Sequence, residues 1–279
     1  MMFKKVAIIG VGLIGGSIGR ALKKKGLAGE IVGVCRHESS LRIARGKGAI
    51  DQGTLNVQEA VSDADLVILA VPVLDVIRIG KEIAPFLKKG ALVTDAGSTK
   101  QMIVEELERA LPRGVNFIGA HPLAGSEKRG AQQANAELFK NALCLLTRTK
   151  KTSPEALKKV ASLWRRLGCR IKILSPQAHD KIVAVISHLP HLAAGQLVKT
   201  AKADLSYAAS GFLDSTRIAS SDDEIWTDIF ISNKVNINQS LNVYINNLKA
   251  ISRLIRKANK TALRAECKKI KEWRDGLSR

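Results

Sequence analysis

A chain of 279 residues with 45 Lys and Arg against 25 Asp and Glu has a formal charge of +20, and 46% of it is hydrophobic. That length exceeds the usual single-domain size and that apolar share fills a substantial core, which argues for two folded domains and against disorder. Aromatic residues make up only 4%, and no nucleic-acid motif accompanies the charge. Specific nucleic-acid binding is therefore not expected, and the basic excess reads as solvated helix faces that attract anions.

Lys4 and Lys5 precede an apolar run, as in a signal peptide, but glycines at 10, 12, 15 and 16 interrupt it. No run of about 18 uninterrupted apolar residues follows, so no membrane span is expected. Cys35, Cys144, Cys169 and Cys267 are scattered without a CxxC pair, which fits a reducing compartment and a cytoplasmic setting. Short apolar runs at 6–9, 31–34, 65–71, 91–95, 115–118, 142–146 and 170–174 predict strands, the third closed by Pro72. A helix is predicted over 14–25. Continuous rather than alternating apolar runs suit strands covered on both faces. Residues 1–175 are thus expected to form an α/β dinucleotide-binding domain, Rossmann-type, with a doubly wound and mostly parallel sheet.

Beyond Ser175-Pro176 the strand signals stop, and 176–279 is expected to be an all-α substrate and dimerisation domain. Ile237, Leu241, Tyr244, Leu248, Ile251 and Ile255 recur at 4-3-4-3-4 spacing. They form one apolar seam on a long helix, suited to another helix or a second copy, so a homodimer is expected.

Gly10-Val-Gly12-Leu13-Ile14-Gly15 follows the first strand and opens a helix. The first glycine permits a tight turn, the second lets backbone approach a pyrophosphate, and the third lets helix pack on strand. Gly10, Gly12, Leu13, Ile14 and Gly15, with Val71 and Pro72 at a neighbouring strand end, are expected to hold a dinucleotide. An acidic residue about 20 positions on would grip the adenosine ribose, but Cys35-Arg36-His37 stands there. Arg36 offers a planar charged fork suited to a 2′-phosphate, which favours NADP over NAD. Its bland reading is a surface charge, and Glu38 is a second candidate for the ribose.

Ligands of open α/β sheets sit outside the carboxyl ends of the strands. Two such ends are polar: Asp95-Ala-Gly-Ser98-Thr-Lys100, and His121-Pro-Leu-Ala-Gly125-Ser126-Glu127. Ser98 also suits the role of helix cap, with Gln101 completing a capping box. His121, fixed in an extended backbone by Pro122, is a candidate base because its pKa lies near working pH. Ser187-His188-Leu-Pro-His191 places Ser187 and His191 on one helical face if the helix survives Pro190. No carboxylate joins His188 and His191 into a metal set, so no metal is expected. Arg217 is either a surface residue or a carboxylate clamp.

Together these motifs resemble the prephenate/arogenate dehydrogenase family of tyrosine biosynthesis. The matching stretches are the glycine loop from Gly10 to Ser17, Asp95 to Lys100, His121 to Glu127 and His179-Asp180. Ser187 to His191, Gly211 to Arg217 and Trp226 complete the set, in family order. The resemblance implies an NAD(P)-dependent oxidoreductase in which His121 is the catalytic histidine. It implies that Ser98 hydrogen-bonds that histidine and the reacting hydroxyl, and that Arg217 holds a substrate carboxylate. Ser126, Ser187 and His191 match substrate-pocket positions, and Trp226 one near the pocket at the dimer interface. Cys35 stands where NAD-preferring members have Asp, and Leu213 where some members have a lysine. The final histidine of the Ser187–His191 motif is similar to that of prephenate-using members, with arogenate as the alternative substrate. A β-hydroxyacid dehydrogenase is the second enzymatic reading, though Lys181 lacks that family's flanking glycine and asparagine. A non-catalytic dinucleotide sensor acting through the basic tail, with ten Lys or Arg and three acids over 253–279, is the third.

Overall fold

A computed structural model describes residues 1–125 and 130–278, and it contains two compact units, Met1–Lys234 and Val235–Arg279. The first unit opens with six parallel strands: β1 (Phe3–Ile9), β2 (Ala28–Val34), β3 (Gln52–Thr54), β4 (Leu66–Leu69), β5 (Leu92–Asp95) and β6 (Asn116–Ile118). Their order across the sheet is β3-β2-β1-β4-β5-β6. That order reverses direction at β1, so the crevice beside the ends of β1 and β4 is the place where such sheets bind dinucleotides.

Helices α1 (Leu13–Lys24), α2 (Glu38–Gly46), α3 (Val57–Val61), α4 (Val73–Ile83) and α5 (Gln101–Ala110) connect these strands. Side chains of a strand point alternately to its two faces. Ile8 and Ile68 accordingly join one buried cluster with Ile18, Leu22 and Trp164, while Ile9 and Leu69 join another with Val76 and Ile103. Burial on both faces is why β4 and the Val6–Ile9 end of β1 are apolar without interruption.

The strands near the end of the α/β part depart from the expected single sheet. β7 (Ala120–Pro122), β8 (Leu143–Thr147) and β9 (Arg170–Leu174) form a separate sheet in the order β7-β8-β9, with β7 antiparallel to β8 and β8 parallel to β9. Only Gly119 separates β6 from β7. A Cβ there would stand 2.5 Å from Thr147 Oγ1, so a side chain would block the passage of the chain from one sheet to the next. Pro122 cannot donate to a ladder and lies on the edge strand, where that loss is tolerated. α6 (Pro154–Leu167) links β8 to β9, buries Trp164 edge-on to Phe139, and ends at Gly168 with φ +110°.

Four more helices complete the first unit: α7 (Pro176–Val183), α8 (Leu189–Thr200), α9 (Ser210–Thr216) and α10 (Asp223–Ser232). A π-turn, Ala184–His188, joins α7 to α8, and Leu189 N–H reaches back five residues to Ala184 O. Pro190 has no N–H for its own turn of helix and its ring crowds the preceding turn. Widening that turn lets the helix run on through the proline. α7 packs on α5 and α10 on α4. The second unit is a helical pair, α11 (Lys234–Arg256, whose first residue belongs to the first unit) and α12 (Lys260–Asp275).

The third glycine of the loop is under the tightest restraint. A Cβ on Gly15 would lie 2.1 Å from Gly10 O, which is backbone and cannot swing aside. Gly15→Ala should therefore cost about 1–3 kcal/mol, the usual toll of overpacking. Urea unfolding with an unchanged midpoint in this variant would contradict that packing.

Candidate active site

The glycine loop has the geometry of a phosphate cradle. Gly10 has φ +89°, and a Cβ on it would meet Ala70 O at 2.4 Å and Val71 Cγ1 at 2.6 Å. Gly12 stands at the N-cap of α1 with no side-chain cap bond, and a Cβ on it would meet nothing within 4 Å. Helix N–H groups facing open space, with no side chain between, suit a pyrophosphate. Leu13 and Ile14 form the half-buried first turn of α1. Pro72 lines a groove of about 360 Å³ with Arg36, Asp75, Asp223, Glu224 and Asp228. Arg36 is exposed at its guanidinium and paired with Asp75, which also holds Arg78.

A cavity of about 520 Å³ opens beside this cradle, lined by Ser98, His121, Ser187, Ser221, Asp222 and Trp226 among others. The loop after His121 runs against α1, since a Cβ on Gly125 would stand 3.6 Å from Ile14 Cδ1. Ser126 lies outside the described residues.

Two buried carboxylates register the walls. Asp95, at the end of β5, accepts from Gly97 N at 2.9 Å and from Ala120 N at 3.0 Å, and pairs with the equally buried Lys100. One carboxylate thus ties the Ser98 loop to the residue before His121. Asp180 of α7 accepts from Lys100 N at 2.7 Å and Gln101 N at 2.9 Å, capping α5. The expected capping box is therefore corrected: Ser98 is not the cap, because the N-cap of α5 is Lys100, two residues later, and Asp180 reaches its N–H groups from another helix.

The imidazoles form a cluster. His121 Nδ1 lies 2.9 Å from His179 Nε2, and His179 Nδ1 lies 2.8 Å from Asp180 Oδ1. Ser98 and His121 line the same cavity, and among the described residues the hydrogen-bond partner of His121 Nδ1 is His179 rather than Ser98. His188 Nδ1 lies 3.2 Å from Asn233 Nδ2, whose amide donates to Asp180 O at 2.8 Å. His191 stacks on Trp226, centroids 3.5 Å apart and planes at 9°. Its buried Nδ1 and the Nε2 of His188 have no hydrogen-bond partner among the described residues. Arg217 begins the turn Arg217–Ser220, exposed, four residues before Ser221 at the cavity wall.

Burial keeps all four rings neutral. His121 is held well below the usual histidine range by burial, then by the repulsion between its proton and one on His179, by the positive field of Lys100, and by the same ring-to-ring repulsion with His188. Burial also lowers His179, opposed by its bond to Asp180, and lowers His191. His188 falls to about 4 through burial, with Asp180 opposing. A neutral imidazole at a strand end beside a dinucleotide cradle is equipped to accept a proton. His179 and Asp180 were visible in sequence only as an adjacent His-Asp pair without a role. Their signal was the helix start at Ser175-Pro176, which places both on the first turns of α7.

These depressed values make folding depend on pH. Each neutral histidine titrates lower when folded than when unfolded, where it titrates near 6.5, so stability present above pH ~6.5 is lost on acidification. From pH 7.5 to 5, His188 alone, titrating at about 4, should remove about 2 kcal/mol. Urea unfolding at both values should show that loss shrinking in His188→Gln, and equal losses in both proteins would count against it.

Profile comparison matches residues 18–173 to the prephenate dehydrogenase nucleotide-binding domain and residues 175–269 to the prephenate dehydrogenase dimerization domain. A prephenate dehydrogenase of Bacillus subtilis is 35% identical over 280 residues, spanning 98% of this chain and 76% of that protein. The structure of prephenate dehydrogenase from A. aeolicus in complex with hydroxyphenyl propionate and NAD+ superposes with a TM-score of 0.94 at 34% identity, over 99% of both chains. Synechocystis arogenate dehydrogenase superposes with a TM-score of 0.83 at 29% identity, over 98% of this chain and 99% of that one.

Proposed function

The chain belongs to the prephenate dehydrogenase family, and we propose that it converts prephenate to 4-hydroxyphenylpyruvate and CO2 in the cytoplasm, with His121 as base. The observation that carries this reading is a neutral, half-buried His121 facing a cavity beside the Gly10–Gly15 cradle. When bound, the dinucleotide supplies a hydride acceptor. His121 takes the proton of the ring hydroxyl as the carbon beneath it gives up hydride. Loss of CO2 from the ring carboxylate leaves the electron pair that completes the aromatic ring, and the oxygen recovers a proton from the imidazolium. A base that is neutral before the reaction does this at neutral pH.

Residues 1–175 are assigned to the dinucleotide and residues 176–279 to substrate and dimerisation. Gly10, Gly12, Leu13, Ile14, Gly15, Val71 and Pro72 hold the dinucleotide. Ser98 and Ser187, both on the cavity lining, offer hydroxyls to the substrate, and Ser126 joins them. His191 is set against the indole of Trp226 and favours prephenate over arogenate. Arg217 clamps a substrate carboxylate, since a dianion entering an apolar cavity needs a fixed guanidinium. The exposed apolar side chains Val243, Ile245, Leu248 and Ile255 of α11 serve a homodimer.

For the cofactor, Arg36 favours NADP, and its fork is shared with Asp75, so a 2′-phosphate competes with a carboxylate already in place. An exposed pair of this kind contributes up to about 1 kcal/mol. The preference is accordingly modest.

Turnover measured with prephenate and arogenate, each with NAD and NADP, tests the whole reading. No oxidation of either substrate would refute it. His121→Asn should lower kcat by about 10²–10⁴ and leave dinucleotide binding intact, whereas wild-type turnover would dismiss it as the base. Arg36→Ala should weaken binding of NADP more than of NAD, and equal effects on both dissociation constants would remove Arg36 from cofactor choice.

A further inference from the structure

We infer that Asp180 and His179 are positioning residues that fix which nitrogen of His121 is free to accept a proton. The inference rests on the reading of His121 as the base and adds what makes that ring usable. Asp180 Oδ1 accepts from Lys100 N–H at 2.7 Å and faces His179 Nδ1 at 2.8 Å, while Oδ2 accepts from Gln101 N–H at 2.9 Å. Both oxygens therefore already meet donors at the N-terminus of α5, where a helix favours a carboxylate over a carboxylic acid. An ionised carboxylate only accepts, so the proton of a neutral His179 sits on Nδ1. Its Nε2 is then a lone pair, 2.9 Å from His121 Nδ1. That contact is a hydrogen bond only if His121 carries its proton on Nδ1, which leaves Nε2 bare.

The opposite assignment is disfavoured at each link. A proton on His179 Nε2 would set the Nδ1 lone pair against the Asp180 carboxylate at 2.8 Å, two acceptors in contact with no proton between them. It would also make His121 carry its proton on Nε2, where a ring cannot serve as base. The same carboxylate caps the helix entered from the Ser98 loop, so the orientation of the base and the placement of Ser98 are set by one group. When His121 gains a proton, its Nδ1–H still points at an acceptor backed by an anion, and the imidazolium is supported without moving.

Histidine-labelled protein, observed by long-range proton–nitrogen NMR, reads the tautomer directly, with His121→Asn and His179→Gln assigning the signals. The expected spectrum shows both rings protonated at Nδ1 and bare at Nε2. His179→Leu removes the acceptor and should lower kcat by about 10²-fold or more, with KM and the dinucleotide dissociation constant within about threefold of wild type. His179→Gln, which restores an acceptor oxygen, should recover much of that loss. His121 protonated at Nε2 in the wild type would overturn the inference, as would full activity in His179→Leu, or a Gln variant no better than Leu. Should His179→Leu fail to fold, the wild-type spectrum decides alone. If His121→Asn is inactive while His179→Leu turns over normally, only the pairing fails; if His121→Asn is active, the base assignment itself fails.

Discussion

Everything in the site depends on a carboxylate that no solvent reaches. Asp95 and Lys100 are both fully buried, and a buried ion pair is tolerated only when its remaining acceptors and donors are satisfied. Asp95 meets that condition through the N–H groups of Gly97 and Ala120. Those bonds join the end of one sheet to the first strand of another, and the residues they hold adjoin Ser98 and His121. The pair is thus less a source of stability than a register mark, since its desolvation cost is recovered only in the one arrangement that places both residues on the cavity. Gly119 makes the arrangement sterically possible, because a side chain there would strike Thr147.

The positive field of Lys100 and the anionic field of Asp180 then divide the histidines between them. Lys100 adds to burial in keeping His121 unprotonated, while Asp180 opposes the desolvation of His179 and His188. The outcome is a row of neutral rings rather than a cluster of cations, which is the state a proton acceptor needs before the reaction begins. Net charge tells little about this. A chain with a formal charge of +20 surrounds Arg36 with Asp75, Asp223, Glu224 and Asp228 at the groove beside the cofactor cradle. Local placement decides what an anionic ligand meets there.

The sequence made legible what depends on local pattern. The apolar runs of β1, β2, β4, β5 and β6, the glycine loop and the polar strand ends at Ser98 and His121 all follow from rules that act over a few residues. The short edge strand β3, Gln52–Thr54, was not read because it is polar and half exposed, without an apolar run. β7 escaped because Pro122 argues against a strand, and only the pairing of His121 with Leu145 shows that its edge position removes the objection. The runs at 142–146 and 170–174 read as strands, but nothing local separates a strand of the main sheet from one of a second sheet. His179 and Asp180 meet partners 58 and 80 residues away, a relation that spacing alone does not encode. The cap of α5 stays open in the sequence for the same reason: the nearby hydroxyl of Ser98 suits the local rule, while a distant carboxylate satisfies the same N–H groups.

The helical stretch Pro176–Thr200 shows how composition and function diverge. By length and composition it is apolar enough to cross a membrane, with a mean hydropathy of 1.2. Yet His179, Asp180 and His188 within it are buried and hydrogen-bonded to protein groups, while Val183 and Ile186 line the cavity. A cavity for a small organic dianion needs apolar walls to strengthen the few polar contacts that orient it. Val183 and Ile186 supply such walls, and the π-turn re-aims Ser187 and His188 relative to His179 within one continuous run of helix. Pro190 is therefore more than a tolerated defect. By forcing the wider turn it changes which face each polar residue of the motif occupies, so that the hydroxyl of Ser187 meets the cavity while His188 turns inward to Asn233.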